Sequence, residues 1–192
     1  NEEAARVALR HLRDAGVESI AICFLNAYAN PVHEQRMGAL ADEECPDVEI
    51  SLSSDVVREF REYERMSTTA VNAYVAGPLK RHLDDLEANV SNEGVPATPA
   101  IMRSNGGVMT FAAAKRLPVT MTHSGPMGGI IGGTAIAAAC GISDIITLDM
   151  GGTSADVSLV AGGQPVLTTR GTVGRHPVLL PMLDLVTIGA GG

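Results

Sequence analysis

Two parallel strands cannot be joined by a tight turn; they need a crossover of a dozen or more residues, usually a helix. The first 54 residues are spaced that way. "EEAARVALRHLRDAG", Glu2 to Gly16, puts Ala5, Leu9 and Leu12 on one stripe among charges and predicts a surface helix stopped at Gly16. "SIAICFL", Ser19 to Leu25, is an apolar run of strand length. "NPVHEQRMGALADEECP" starts a helix with Asn30 as N-cap and Pro31 at the first helical position, and stops before Pro46. "VEISLSS", Val48 to Ser54, alternates as a strand does. Helix, strand, helix, strand at these lengths implies βαβ units, at least part of a parallel sheet, and an α/β fold.

Beyond residue 60 the chain changes character. Arg61 to Val90 reads as a long helical stretch, with a break or kink expected at Gly77-Pro78. "NEGVPATPA" is a turn-rich connector, and "AIMRSNGGVMT" is a strand running into an Asn105-Gly106-Gly107 turn. Of the 21 glycines, 18 lie after residue 93. Among them, Gly125, Gly129 and Gly133 are spaced four apart in "SGPMGGIIGGTAIAAACG", as are Gly128 and Gly132. Each glycine costs a helix roughly 1 kcal/mol relative to alanine. A helix stacked with them makes sense where a backbone or a ligand approaches closely; a glycine-rich loop is the alternative. "DIITLDM", "ADVSLV" and "QPVLTTR" then read as three short strands of an antiparallel meander, turning at Gly151-Gly152 and Gly162-Gly163.

Composition removes several classes of function. Hydrophobic residues make up 45% and charged residues 19%, ordinary for a soluble globular protein with a real core. With 3% aromatics and no Trp, that core is aliphatic. A net charge of −8 argues against non-specific nucleic-acid binding. Cys23, Cys45 and Cys140 form no CxxC pair, which points to reduced thiols and a cytoplasmic setting. The longest apolar run, near 125–140, is too short and too glycine-rich for a membrane span. The chain opens without Met and closes on "IGAGG", which reads as an internal stretch of a longer protein.

The chemistry concentrates in "TLDMGGTSADVSLV", Thr147 to Val160. Asp149 ends an apolar strand, Gly151 and Gly152 turn the chain with unusual dihedrals, and Asp156 follows. Uncovered backbone N–H groups at such a turn form a nest for an anion, and Thr153 and Ser154 add hydroxyl donors. Carboxylates beside a phosphate repel it unless a cation stands between them. Asp149 and Asp156 therefore imply Mg²⁺, or another divalent metal, which binds one or two carboxylates together with phosphate oxygens. From spacing alone, a plain hairpin with a Gly-Gly tip and solvated acids fits the same residues equally well. No GxxxxGK[ST] or strict GxGxxG occurs, so a P-loop or Rossmann site is unsupported.

Read together and in order, "REYERMSTTAVNAY", "IMRSNGG", "SGPMGG", "LDMGGTSADVSL" and "LPMLDLVTIGAGG" strongly resemble the hydantoinase A / 5-oxoprolinase family. That family also contains the nucleotide-handling subunits of acetone and acetophenone carboxylases. The resemblance covers essentially the whole chain. It implies a ribonuclease-H-like, actin-like ATPase fold with ATP between two lobes, this chain spanning the end of lobe one and the start of lobe two. Residues 1–60 would be the end of the family's N-terminal region. Residues 61–123 would be a helical segment returning to the first lobe, and 124–192 the connecting helix and phosphate hairpin of an incomplete second lobe.

The implied function is ATP-dependent hydrolysis of a cyclic amide, of hydantoin or 5-oxoproline type, through phosphorylation of the carbonyl oxygen. Alternatives are a ketone carboxylase subunit, a sugar- or acetate-type kinase, or a non-catalytic nucleotide-responsive module of the actin or Hsp70 class. The implied partner is a hydantoinase B-like subunit or domain. Asp149 would be catalytic; Gly151, Gly152, Thr153, Ser154, Ser124 and Gly125 would contact the nucleotide; Asp149 and Asp156 would hold the metal. Ala155 stands where the family usually has Thr, and Met127 where it commonly has Ala.

Other candidates read as structural. Arg58, Arg61, Glu62, Glu64 and Arg65 read mostly as a solvated helix face; the resemblance, in which "REYER" is a family signature, implies that one or two of them line the cleft or a subunit interface. His123 beside Ser124 lacks an orienting acid, so a catalytic triad is rejected. Ser124 is expected instead to be the N-cap of the glycine helix. His33 and His82 fall on polar helix faces, and no cluster has zinc spacing.

Overall fold

A computed structural model describes residues 1–94 and 99–189. The connector 95–98 and the closing Ala190 to Gly192 lie outside the described residues. In chain order, the first elements are α1 (Glu2–Asp14), β1 (Ser19–Ile22), α2 (Val32–Glu44), β2 (Glu49–Leu52), the short α3 (Ser53–Val56) and the long α4 (Glu62–Asn92). The hairpin β3 (Ile101–Met102) and β4 (Val108–Met109) leads to α5 (Phe111–Arg116), a 3₁₀ turn at Pro118–Met121, and α6 (Ser124–Ala139). The rest is strand: β5 (Ile145–Met150), β6 (Ala155–Ala161), β7 (Gln164–Pro165), β8 (Leu167–Thr168), β9 (Gly171–Val173), β10 (His176–Val178), β11 (Met182–Leu183) and β12 (Leu185–Ile188). The elements fall into two compact units. One comprises Asn1–Ala97, Lys115–Val119 and Thr172–Leu179; the other comprises Thr98–Ala114, Thr120–Gly171 and Leu180–Gly192.

The first unit carries the expected crossover. β1 and β2 pair in parallel, Ser19 opposite Glu49 through Ile22 opposite Leu52, with α2 between them in sequence. Leu9, Ile22, Leu40, Ala41 and Cys45 form its aliphatic core. Ala15 caps α1 and Gly16 follows at φ +74°, a conformation glycine adopts without strain. Asn30 does accept the Val32 N–H (3.2 Å), but Pro31 rather than Asn30 occupies the cap position, one residue later than expected.

Two charged side chains hold this unit together from inside. Glu34 is fully buried and accepts from the Phe24 N–H (2.7 Å), the Ser53 hydroxyl (2.6 Å) and the Ser54 N–H (2.8 Å). It thereby ties the segments that follow β1 and β2. Arg65 is also fully buried. It donates to the carbonyls of Phe24 (2.6 Å) and Glu59 (3.3 Å), pairs with Glu62, and lies over the Tyr28 ring. Arg58 and Arg61 are exposed, so a solvated face describes part of the charge run and fails for Arg65.

α4 runs 31 residues through Pro78, and the expected break does not occur. Proline has no N–H for the carbonyl four residues back, that of Tyr74. Tyr74 is on the exposed side of the helix, 83% exposed, where a carbonyl freed of its partner is open to solvent.

The second unit is α6 against an antiparallel sheet in the order β12-β6-β5, with β7 on the far end of β6. The glycine-rich segment is therefore helix. Met127, Ile130, Val160 and Leu183 are its buried core, joined by Met102, Ile131, Ile145 and Leu185. Met127 fills space left by Gly106, whose Cβ would lie 3.4 Å from the Met127 sulfur. Gly162 and Gly163 (φ +58° and +74°) turn β6 into β7, as the two positive φ values of a tight hairpin require. The meander's third run is split: Leu167–Thr168 leaves the sheet and pairs with β11.

Candidate functional site

β5 and β6 align in register, so that Asp149 stands directly opposite Asp156. β12 continues the row on the other side, with Thr187 opposite Asp156. Directly paired residues share a face, so Asp149, Asp156 and Thr187 form one polar line across three strands. Alternation sends Ile145, Thr147 and Asp149 to the α6 side. The ends of Ile145 and Thr147 pack near Gly133, while Ile146 and Leu148 are 71% and 61% exposed. The Thr187 hydroxyl donates to Asp156 Oδ1 at 2.7 Å. Neither aspartate has an ion-pair partner among the described residues.

A cavity of about 270 Å³ opens at this line, lined by Pro126, Gly129, Thr147, Asp149, Asp156 and Leu185 among others. The first half of α6 supplies its other wall. A Cβ at Gly125 or Gly129 would meet nothing within 4 Å, so packing among the described residues does not demand these glycines. Gly128 and Gly133 admit side chains, Met102 and Thr147, not another backbone.

The hairpin tip connects Met150 to Ala155 through Gly151, Gly152, Thr153 and Ser154. The Gly151 N–H donates to the Ser154 carbonyl (2.9 Å), while those of Gly152 and Thr153 donate to no acceptor among the described residues. Neither Gly151 nor Gly152 has positive φ, which corrects the expectation of unusual dihedrals at this turn. A Cβ on Gly152 would meet nothing, and one on Gly151 only the Ser154 carbonyl oxygen at 3.8 Å. Neither backbone geometry nor packing accounts for glycine at 152; it leaves open room above free amides. Ala155 is fully buried.

Ser124 is not the cap of α6. His123 holds that position without a side-chain cap bond, and Ser124 is the first helical residue. Just before the helix, the hydroxyl of Ser104, buried at the preceding hairpin, accepts the His123 N–H (3.0 Å) and donates to the Thr120 carbonyl (2.9 Å). The His123 Nδ1 is buried without a hydrogen-bond partner among the described residues, and burial pushes the imidazole pKa down while the charge of Asp156 pulls it up. Ser124 and Gly125 immediately precede the cavity-lining Pro126 in sequence; Gly151 to Ser154 follow the strand that carries Asp149. The structure thus brings Asp149 and Asp156 to one cavity. Sequence reasoning missed Thr187, whose only signal was its place in "LVTIGAGG". His33 and His82 are exposed, as expected.

The sequence matches models of two known families. Residues 65–192 match hydantoinase/oxoprolinase, and residues 1–45 match the hydantoinase/oxoprolinase N-terminal region. The chain belongs to the hydantoinase/oxoprolinase family. Over its full length it is 34% identical to caprolactamase subunit alpha of Pseudomonas jessenii, of which it covers 28%. It is 31% identical to 5-oxoprolinase of Saccharomyces cerevisiae, of which it covers 15%. It superposes on a nucleotide-free acetone carboxylase structure with a TM-score of 0.89 at 31% identity, covering all of this chain and 27% of that one. On the ATP-dependent caprolactamase structure the TM-score is 0.82 at 32% identity, covering 28% of that chain. The chain thus spans under a third of each of these relatives. Among the described residues, no helix is long and apolar enough to cross a membrane.

Proposed function

We propose that this chain supplies part of a Mg-ATP phosphate site to a larger enzyme that opens a cyclic amide. The carrying observation is the Asp149–Asp156 pair set opposite one another beside a glycine tip with free amides. Like charges directly opposite on a sheet repel. No basic side chain pairs with them among the described residues, and a bound divalent cation would relieve the repulsion. No group of three or more His, Cys, Asp or Glu could hold a metal among the described residues. Two carboxylates without a full protein cage suit Mg²⁺, which takes its remaining ligands from water and phosphate.

Each residue then has a role. Asp149 and Asp156 would hold the ion from the strand face. The amides of Gly152 and Thr153, with the Thr153 and Ser154 hydroxyls, would donate to phosphate oxygens, and the absent side chain at Gly152 admits them. Ser124 and Gly125 would offer the uncapped first-turn amides of α6 to the same anion. When bound, the ion offsets charge that develops on the transferring phosphoryl group. The lobed, actin-like arrangement belongs to this reading, with α6 as the helix connecting lobe one to lobe two.

For the whole protein, phosphorylation of the amide oxygen turns a poor electrophile into one with a phosphate leaving group, and water then opens the ring. Relatives named caprolactamase subunit alpha and 5-oxoprolinase support this reading. The likeness to acetone carboxylase supports a second, in which the acceptor is a ketone oxygen and carboxylation follows. Because relatives are named as subunits, the partner would be a hydantoinase B-like subunit or domain. The test is ATP turnover by the full-length protein with its partner. Stimulation by caprolactam, hydantoin or 5-oxoproline selects the first reading; stimulation by a ketone with bicarbonate selects the second. Turnover indifferent to all of them overturns both.

A further inference from the structure

Thr187 has no part in the proposed chemistry, yet it is the side chain in direct contact with Asp156. It sits opposite Asp156 on β12, and its hydroxyl donates to Oδ1 at 2.7 Å. The contact is exposed, and a surface hydrogen bond of this kind adds little to folding because water competes for both partners. Its effect is geometric. A threonine on a strand has few χ1 rotamers, so its hydroxyl is held at a fixed place beside the carboxylate. That bond engages Oδ1, and Oδ2 has no donor among the described residues. Asp149 flanks Asp156 on the opposite strand, in the same row.

We propose that Thr187 is a positioning residue for the divalent cation: it fixes the Asp156 carboxylate so that its free oxygen and Asp149 converge on one ion. This rests on the reading of Asp149 and Asp156 as metal ligands. Partners that orient metal-binding carboxylates are worth about 10- to 100-fold in metal affinity. A single exposed hydroxyl belongs at the low end of that range. Thr187→Val removes the donor, keeps the shape and keeps a β-favouring residue on an exposed position, so the sheet should survive it. Thr187→Ser keeps the hydroxyl with more rotamer freedom.

The experiment titrates Mn²⁺ alone into the full-length protein and follows the free ion by electron paramagnetic resonance, in wild type, Thr187→Val, Thr187→Ser and Asp149→Asn. Expected is a loss of affinity of about tenfold in Thr187→Val, within about threefold of wild type in Thr187→Ser, and a larger loss in Asp149→Asn. Unchanged binding in Asp149→Asn would sink the metal reading itself. Weakened binding in Asp149→Asn with unchanged binding in Thr187→Val would leave the site standing and overturn the role of Thr187. Equal losses in Thr187→Val and Thr187→Ser would also overturn it, since the hydroxyl would then not be the cause.

Discussion

Glu34→Ala tests how the carboxyl ends of β1 and β2 are held. The native carboxylate is fully buried and receives two backbone N–H groups, Phe24 and Ser54, and the Ser53 hydroxyl. Truncation removes all three acceptor contacts at once. The hydroxyl can rotate to another acceptor, but the two amides are fixed by the chain. The Ser54 amide is buried and costs about 1–3 kcal/mol when left unsatisfied, while the Phe24 amide is only part-buried and loses less, so the total is about 2–4 kcal/mol. For a chain of 150–250 residues each kcal/mol lowers Tm by about 2–4 °C, so a loss near 3 kcal/mol should lower the melt by roughly 6–12 °C. Circular dichroism melting reads the total, and amide hydrogen exchange reads the cause: Phe24 and Ser54 should lose protection more than the centre of α4. A variant within 1 kcal/mol of wild type, with both amides still protected, would refute the reasoning.

Gly152→Val should leave the melting temperature of the chain nearly unchanged, because the added Cβ meets nothing and φ at 152 is not left-handed. In the full-length protein the same substitution should weaken Mg-ATP binding by more than tenfold in calorimetry; unchanged affinity would make the hairpin a mere turn. Asp144 should titrate below its ordinary value of 3.8 in carboxyl NMR, because the Gly162 N–H donates to it (2.8 Å) and Ser143 adds a second bond. Its folded pKa is depressed, so its contribution is complete above pH 3.8 and fades as pH falls through the folded value. The stability difference between wild type and Asp144→Asn should therefore shrink only at acid pH, and a difference that grows there would contradict the sign.

Local signals carried the fold a long way. Periodicity and glycine stops found α1, the β1–α2–β2 crossover, the glycine-rich helix α6 and the β5–β6 hairpin, because each depends on residues within one element and its caps. What the sequence hid is long-range. Glu34 meets Ser53 and Ser54 some 20 residues away, and nothing in "VHEQRMGAL" marks it as buried while its neighbours are exposed. Arg65 looked like part of a solvated charge run, yet its guanidinium closes on a carbonyl 41 residues distant. Pro78 looked like a break because a local rule does not see that the residue four back, Tyr74, faces solvent. Ser124 looked like a cap, and the Ser104 hydroxyl that receives the preceding N–H lies in another hairpin. At the site, the spacing of Asp149 and Asp156 was legible, but their direct opposition, and Thr187 beside them, emerge only from strand register.

The most direct measurement is steady-state ATP turnover by the full-length protein, wild type against Asp149→Ala, with nucleotide concentration varied. Removing one well-placed electrostatic contact to a transition state is worth about 3 kcal/mol, or on the order of a hundredfold in rate. Expected is a kcat lowered about a hundredfold with a smaller rise in KM for ATP. Wild-type kcat and KM in Asp149→Ala would contradict the assignment of a phosphate site to this hairpin.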